Sequence, residues 1–474
     1  MALRFGTSGW RGIIAEEVTF ANVRLVVEAI ARYLQGTSGA AGRVIIGYDT
    51  RFLSRAFAEE AARTLLAHNV RVDLCHAPTP TPTIAYGVIH DKRATVSGAL
   101  NITASHNPPE YNGIKFSSSD GGPALPQVTH AIETVLEKLT SKDVQQVPQL
   151  QHPHLHIVKL EQPYIDHLAR LVDFDAIRKS KLHLVYDPQH GVGASVIKQI
   201  AKQFRILLEC VNDNPDPSFG GHAPDPSENH LQDLRQAMKA SRAGLGISTD
   251  GDADRFGVLD RDGSFIIPND LIGLAADYLI VERRLKGGIG RSVATTHLLD
   301  AVAAYHDRKL LETPVGFKYV GDLIKHDELV IGGEESAGLS IRGHVPEKDG
   351  ILACLLAAEM VAVRRKSLQQ QRRELFRRVG AFYNSRINIQ VSQDDRKFVQ
   401  KKIENLPGLF NNLAGFPAVE REISIDGRKV IFKDGAWVLV RLSGTEPVAR
   451  CYCEASTPAQ LRKLQRALNQ LLAV

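Results

Sequence analysis

Apolar residues recur along the chain at two periods. Near the start, Val23, Val26, Val27, Ile30 and Leu34 lie at helical spacing behind Thr19, a residue able to cap a helix. Residues 43–48, Arg-Val-Ile-Ile-Gly-Tyr, form a short β-branched run that predicts a buried strand. A helix over about 54–68 and a strand at 70–74 follow, and the order β-α-β predicts a mostly parallel sheet. Residues 78–82, Pro-Thr-Pro-Thr-Pro, predict a stiff connector to a further β-rich run at 94–102. Residues 141–153, rich in Gln, Lys, Val and Pro without a period, predict a linker.

A second set begins with strands at 182–186 and 206–210, a helix opening at 191–194 and a strand at 245–249. Between them, residues 212–230 hold four prolines, two glycines and four acidic residues. A loop that long inside a compact domain tends to be functional. The third block predicts a helix over about 270–284, strands at 292–295 and 311–315, and an apolar run from 329. The basic segment 364–378 predicts a solvated face joining domains. Beyond it strands dominate, at 382–391, 419–425, 429–432, 437–441 and 450–454. Thr457-Pro-Ala-Gln460 predicts a capping box opening a helix with Leu461, Leu464, Leu468 and Leu471 on one face. The expected organisation is three α/β domains with mostly parallel mixed sheets, over 1–150, 151–262 and 263–374, and an α+β domain over 375–474. No internal repeat is evident by eye.

At 474 residues the chain is too long for one core. Its 58 basic and 53 acidic side chains nearly cancel, and no Lys/Arg run is interleaved with aromatics, so a nucleic-acid partner is not expected. The longest apolar stretches, 271–281 and 351–363, carry Asp277 and Glu359 and are too short to span a bilayer, so no membrane is expected either. The N-terminus has no apolar signal region. Five scattered cysteines predict reduced thiols and a cytoplasmic protein. Cys451 and Cys453 share one strand face without a second Cys/His pair, which reads as buried small residues and not a zinc site.

Four stretches carry candidate chemistry. Thr103-Ala-Ser-His-Asn-Pro-Pro-Glu-Tyr-Asn-Gly-Ile-Lys115 puts a hydroxyl at a strand's carboxyl end, where open α/β sheets bind ligands. On an extended chain Ser105 and His106 point to opposite faces, so His106 is poorly placed as its base. Asp250-Gly-Asp-Ala-Asp-Arg255 offers three carboxylates at alternating positions, able to converge on a hard cation such as Mg²⁺. It is no EF-hand, because the sixth position is Arg255 and the twelfth Arg261. A plain acidic turn is the alternative. Leu329-Val-Ile-Gly-Gly-Glu-Glu-Ser-Ala-Gly338 runs from a strand into a Gly-rich loop, either a ligand loop or a tight turn with solvated glutamates. Arg441-Leu-Ser-Gly-Thr-Glu-Pro-Val-Ala-Arg450 joins hydroxyl and N–H donors to two guanidinium forks, which suits a phosphate dianion. A β-turn with an internal salt bridge is the bland version.

The first of these stretches resembles the active-serine loop of the α-D-phosphohexomutases, which include phosphoglucomutases, phosphomannomutases and phosphoglucosamine mutases. The resemblance continues in family order over nearly the whole chain. Thr7-Ser-Gly-Trp-Arg-Gly12 resembles the family's opening, Asp250–Arg255 its metal loop, Gly333-Glu-Glu-Ser336 its sugar loop and Arg441–Arg450 its phosphate loop. It implies four domains around one cleft, the first three alike in topology. It implies that Ser105 carries a phosphoryl group, that Arg11 reaches the Ser105 region, and that Lys115 shuttles a proton or stabilises charge, with His106 as a helper. Asp250, Asp252 and Asp254 would hold Mg²⁺ together with the Ser105 phosphate. Arg255 would sit near substrate, and Glu334 and Ser336 would bond ring hydroxyls. Lys348, Lys318 and His344 are further candidate phosphate contacts. Arg441, Ser443, Gly444, Thr445 and Arg450 would hold the non-reacting phosphate. The implied reaction interconverts hexose 1-phosphate and hexose 6-phosphate through a hexose 1,6-bisphosphate, which also serves as activator. The Gly-Glu-Glu-Ser-Ala-Gly loop departs from the Gln-containing form of glucosamine mutases, which favours glucose, with mannose next. A metal-dependent sugar-phosphate phosphatase and a non-catalytic sugar-phosphate binder are the rival classes. The partner expected is a small phosphosugar, and the chain a monomer or homodimer.

Overall fold

The computed structural model describes residues 3, 9–38, 42–90, 95–392, 394–443 and 447–472. Four sheets follow one another along the chain. The first has six strands, in spatial order Trp10–Ile13, Tyr111–Ser118, Val96–Ile102, Arg43–Tyr48, Arg71–Cys75 and Leu155–Val158. Strict alternation decides its two faces. Val44 and Ile46 look toward helices Phe20–Ser38, Ser54–Ala67 and Pro126–Leu136, while Ile45 looks toward Thr81–His90. The Val23, Val26, Val27 and Ile30 stripe is fully buried, and the Thr19 hydroxyl accepts the Asn22 N–H at 3.2 Å as the cap.

The second sheet runs Phe265–Ile266, Phe256–Asp260, Leu245–Thr249, Leu184–Asp187, Leu208–Cys210. The third runs Leu310–Thr313, Gly288–Ser292, Leu329–Glu334, Gly338–Ile341. The first three sheets share one plan. Two parallel strands are made, a third pairs with the first of them, and a fourth turns back antiparallel on the third. That last hairpin carries residues 103–110 in the first sheet, 250–255 in the second and 335–337 in the third. The fourth sheet is antiparallel throughout: Tyr383–Gln390, Val448–Ala455, Trp437–Leu442, Arg428–Phe432, Val419–Ile423. Three α/β sheets and a C-terminal α+β module are therefore present. No helix among the described residues is long and apolar enough to cross a membrane.

Several expectations shift. The connector at 78–82 opens helix Thr81–His90, since proline is tolerated in a first turn. The strand expected at 292–295 lies at Gly288–Ser292. Its glycines hide it from a hydrophobicity reading, and each is needed: a Cβ on Gly290 would meet Leu329 Cδ1 at 2.4 Å. Strand Tyr111–Ser118 and helices Arg396–Glu404 and Leu406–Asn411 were not expected. Leu155–Val158 pairs parallel with Arg71–Cys75, so the first sheet runs past the boundary drawn at 150. The basic segment is not simply solvated. Arg364 and Arg378 reach buried Asp277 at 3.0 and 2.9 Å, and Arg372 reaches Asp270 at 2.5 Å. The pairs from Arg372 and Arg378 tie helix Leu368–Val379 to helix Pro268–Val281, and the pair from Arg364 ties the end of helix Gly350–Arg364 to it.

The fourth sheet turns one face to its own helices and the other to the third unit. Ile431, Trp437, Leu439 and Tyr452 pack on Val293 and Ala294. Inside this seam Lys429 is fully buried, donates to the Val293 carbonyl at 2.8 Å and lies 3.9 Å from the Trp437 ring centroid. Burial first, and the Arg291 charge next, push its pKa from 10.5 down to about 7. The folded value lies below the unfolded one, so the penalty is absent above about pH 10.5, grows as pH falls, and is complete below about 7. Stability of wild type relative to Lys429→Met should therefore rise from pH 7 to pH 10. Melting curves of the pair across that range test this, and a difference that does not change with pH contradicts it.

Candidate active site

Ser105 sits in the turn between strands Val96–Ile102 and Tyr111–Ser118. Its φ is +55°, in the left-handed region, and its N–H donates to the Thr103 hydroxyl at 2.8 Å. The side chain is 1% exposed, and its hydroxyl donates to Asp250 Oδ2 at 2.7 Å. His106 was expected on the opposite face. The left-handed turn breaks the strand alternation and brings His106 Nδ1 to 3.3 Å from Ser105 Oγ. Burial, then the charges of Arg255 and Arg11, hold the His106 pKa well below the ordinary histidine range, so the imidazole is neutral at pH 7. Arg11 donates to Asn107 Oδ1, on this turn, at 2.7 Å.

Residues 250–255 connect strands Leu245–Thr249 and Phe256–Asp260. Asp250, Asp252 and Asp254 are buried and offer carboxylate oxygens all within 4.8 Å of one another. Asp250 Oδ1 accepts the Arg255 N–H at 3.0 Å. Asp252 Oδ2 accepts from Lys115 and from the Thr81 hydroxyl, both at 2.5 Å. Asp254 Oδ2 accepts from Lys115 at 2.7 Å and pairs with Lys348 at 3.1 Å. Burial and then its two acidic neighbours raise the Asp250 pKa well above the carboxylate range. Burial acts the same way on Asp254, but Lys115, Lys348 and Arg255 outweigh it and hold that carboxyl well below the range. Oδ1 of Asp252 and of Asp254 are buried with no hydrogen-bond partner among the described residues. Buried anionic oxygens left without a donor are what a hard divalent cation takes up, so the residues fit a metal site. The loop reaches Ser105 by backbone contact: a Cβ on Gly251 would lie 2.8 Å from the Ser105 carbonyl oxygen.

Glu334 ends strand Leu329–Glu334, and Ser336 is half-buried in the tight turn that follows, with Ala337 at φ +67°. Glu334 Oε1 accepts the Gly316 N–H at 2.7 Å. Burial, then Glu335, pushes its pKa up to about 7. Glu335 is tied down by the Thr295 hydroxyl at 3.1 Å, so neither glutamate is simply solvated. Lys348 bridges two loops. Its ammonium reaches Asp254, and a Cβ on Gly338 would strike its stem at 2.4 Å. Lys318 is half-buried and, with Lys115, Lys348 and Gly9, lines one small cavity. His344 is not at the cleft. Its ring bonds Asp349 at 2.7 Å and His167 at 3.0 Å, both nitrogens are engaged, and the phosphate reading fails for it.

Arg441 and Arg450 stand directly opposite each other on neighbouring antiparallel strands. Like charges in that position repel unless an anion lies between them. Arg386 shares this sheet face, opposite Tyr452, and Arg396 donates to the Ser443 carbonyl at 2.7 Å. Gly444 and Thr445 lie outside the described residues. Bonded atoms link this loop to the third: Arg441 donates to Asp426, Asp426 accepts the Val315 N–H at 3.2 Å, and Gly316 donates to Glu334.

Family models of phosphoglucomutase/phosphomannomutase match all four units: alpha/beta/alpha domain I over 2–143, domain II over 162–263, domain III over 267–379 and the C-terminal domain over 387–471. A phosphoglucomutase of Komagataeibacter xylinus is 32% identical across 97% of this chain and 89% of its own. A phosphoglucomutase/phosphomannomutase of Thermococcus kodakarensis is 32% identical across 98% and 97%. The chain belongs to the phosphoglucomutase/phosphomannomutase family. The crystal structure of a putative phosphomannomutase from Thermus thermophilus superposes over 100% of both chains with a TM-score of 0.86 at 31% identity. Membership makes the chain an isomerase of the phosphohexomutase type.

For such an enzyme the sequence reading missed several supporting residues. Thr81 donates its hydroxyl to Asp252 Oδ2 and its N–H to the Asp252 carbonyl at 3.0 Å, and itself accepts from Asn101 at 2.5 Å. Glu347 pairs with Lys348 at 3.1 Å. Asp49 and Arg51 lie buried beneath the serine turn. Only the position of Asp49-Thr-Arg51 just past a buried strand could have drawn attention to them.

Proposed function

We propose that this phosphohexomutase interconverts hexose 1-phosphate and hexose 6-phosphate, glucose first, by way of phospho-Ser105 and a hexose 1,6-bisphosphate. The observation that carries the reading is Ser105 hydrogen-bonded to Asp250 of a buried carboxylate triad, with the Arg441/Arg450 pair on a separate sheet as a second anion site. Simple hydrolysis by a phosphatase has no use for that second site. The phosphoryl group passes from Ser105 Oγ to the free sugar hydroxyl, and the proton that hydroxyl loses ends on the Ser105 Oγ left behind, with His106 and Lys115 placed to relay it or balance the charge. The bisphosphate then reverses end for end, Ser105 Oγ takes the other phosphoryl group, and the serine proton passes back to the sugar oxygen released, so both half-reactions balance. Arg441, Ser443, Gly444, Thr445 and Arg450 hold whichever phosphate is not reacting, with Lys318, Lys348 and Arg255 along the path between. Asp250, Asp252, Asp254 and the Ser105 oxygen would hold Mg²⁺, which when bound neutralises charge on the transferring group.

A coupled assay over glucose, mannose and glucosamine phosphates tests the reading; release of free phosphate without the isomer would favour a phosphatase. Geometry fixes a finer expectation. The intermediate binds in two opposite orientations, so the sugar loop must contact hydroxyls that look alike after the flip. O3 and O4 meet that condition, and Glu334 with Ser336 suits the pair. Glucose and mannose share both; galactose inverts O4. A misplaced hydroxyl leaves buried polar groups unpaired at about 1–3 kcal/mol each. Mannose 1-phosphate should therefore be turned over within about two orders of magnitude of glucose 1-phosphate, and galactose 1-phosphate far worse. Glu334→Ala should narrow the glucose–galactose gap and leave the glucose–mannose ratio nearly unchanged. Equal kcat/KM for galactose and glucose 1-phosphates in the wild type would refute the O3/O4 assignment.

A further inference from the structure

The Ser105 turn has only two internal backbone bonds, Asn107 N to Ala104 O and Tyr111 N to Pro108 O, both at 3.1 Å. Four carbonyls of this segment are gathered instead by one guanidinium. Arg51 Nη2 donates to Ser105 O at 2.7 Å and Asn107 O at 2.6 Å, and Nη1 to Pro108 O at 2.7 Å and Tyr111 O at 3.0 Å. Its Nε donates to Asp49 Oδ2 at 3.1 Å, so all five N–H donors are used. Asp49 is itself fixed by the hydroxyls of Ser54 at 2.7 Å and Thr103 at 2.6 Å.

The remaining face of Arg51 is covered from another unit. The Phe219 ring centroid lies 4.9 Å from the guanidinium carbon, and Phe219 is fully buried although it belongs to the long loop 212–230. Its φ is +50°, an uncommon conformation for an aromatic residue. Asp216 holds it there by accepting the N–H groups of Ser218 at 2.9 Å and Gly220 at 3.1 Å. Gly220 and Gly221 continue at φ +68° and +86°. The loop is bent against its own preference so that an aromatic face seals Arg51 from water, where a cation–π contact and the charge-assisted bonds to the carbonyls are strongest.

We propose that Arg51, sealed by Phe219, is a positioning residue that holds Ser105 in its left-handed conformation and so sets its hydroxyl on Asp250. The inference rests on the reading of Ser105 as the phosphoryl carrier. Lysine cannot stand in, because three donors from one point cannot span four carbonyls. The test is a single-turnover experiment. Each protein is phosphorylated with radiolabelled hexose 1,6-bisphosphate, freed of it, mixed with excess unlabelled glucose 1-phosphate and quenched. The decay of labelled phosphoserine is followed, since the phosphate Ser105 takes back in the second half-reaction is unlabelled. The rate constant does not depend on how much protein is folded. A merely destabilised variant gives less phosphoserine decaying at the wild-type rate.

Arg51→Lys should slow the decay by about 100-fold and Phe219→Leu by about tenfold, the scale of a roughly 1 Å misplacement of reacting groups. KM for glucose 1-phosphate should stay within about threefold of wild type, because neither residue touches the sugar. An Arg51→Lys decay within about threefold of wild type overturns the inference. Should that variant fail to fold, an unslowed Phe219→Leu does the same. A wild-type phosphoserine that never passes to the sugar would sink the Ser105 reading as well; normal wild-type transfer beside unslowed variants sinks the positioning role alone.

Discussion

Ser105→Ala should lose about four orders of magnitude or more of hexose-phosphate isomerisation, because no other oxygen can carry the phosphoryl group between the two halves of the reaction. The variant should still fold. Ser105 contributes one hydroxyl bond to Asp250, while the shape of its turn comes from the Thr103 hydroxyl and from backbone carbonyls that alanine retains. Wild-type protein should carry acid-stable phosphate on Ser105, visible by intact mass and in the tryptic peptide, and the variant none. A fully active alanine variant, with no phosphate on Ser105 of the wild type, would end the assignment.

Metal removal should be nearly as damaging. Three buried carboxylates lie within 4.8 Å of one another, Lys115 and Lys348 pair with two of them, and two of their oxygens have no donor among the described residues. Chelation should abolish turnover and Mg²⁺ should restore it, with the far-ultraviolet circular dichroism unchanged, since the lysines keep the loop paired without the ion. Asp252→Asn should weaken metal binding by at least about tenfold, the lower end of what loss of even an outer-shell partner costs. A chelated enzyme as active as the metal-loaded one would remove the triad from the chemistry.

The parts legible in sequence were those where chemistry is local. Ser105, the aspartate triad, Glu334 and the Arg441/Arg450 pair each sit within a few residues of a strand end, and a hairpin presents them in the order the chain writes them. What stayed hidden depends on partners far along the chain. Arg51 follows a strand like any exposed arginine, and only the carbonyls of Ser105, Asn107, Pro108 and Tyr111, far along the chain, give four of its five donors an acceptor. Thr81 reads as part of a proline-rich connector until helix Thr81–His90 presses it onto Asp252, 171 residues away. His344 failed for the same reason: its partner His167 lies 177 residues upstream, and the pair is stacked at 5.2 Å in the interior. The shared plan of the first three sheets escaped inspection because strand pairing repeats while side chains do not. His106 shows the reverse limit, where period-two reasoning holds along strand Val96–Ile102 and fails at the left-handed Ser105 in the turn beyond it.

Strand Leu155–Val158 decides how the molecule can be taken apart. It is four residues long and comes after the stretch that reads as a linker, yet it pairs along the outer edge of Arg71–Cys75, whose residues beyond Arg71 are buried. A fragment ending at residue 150 would expose the hydrogen-bonding edge of an apolar strand, the kind of edge that pairs with other copies. The same fragment extended beyond Val158 carries its own edge cover. Attempts to express the serine-bearing unit by itself, for labelling or for recombination with the remaining units, should therefore cut after this strand; the shorter piece is the one to find in the pellet.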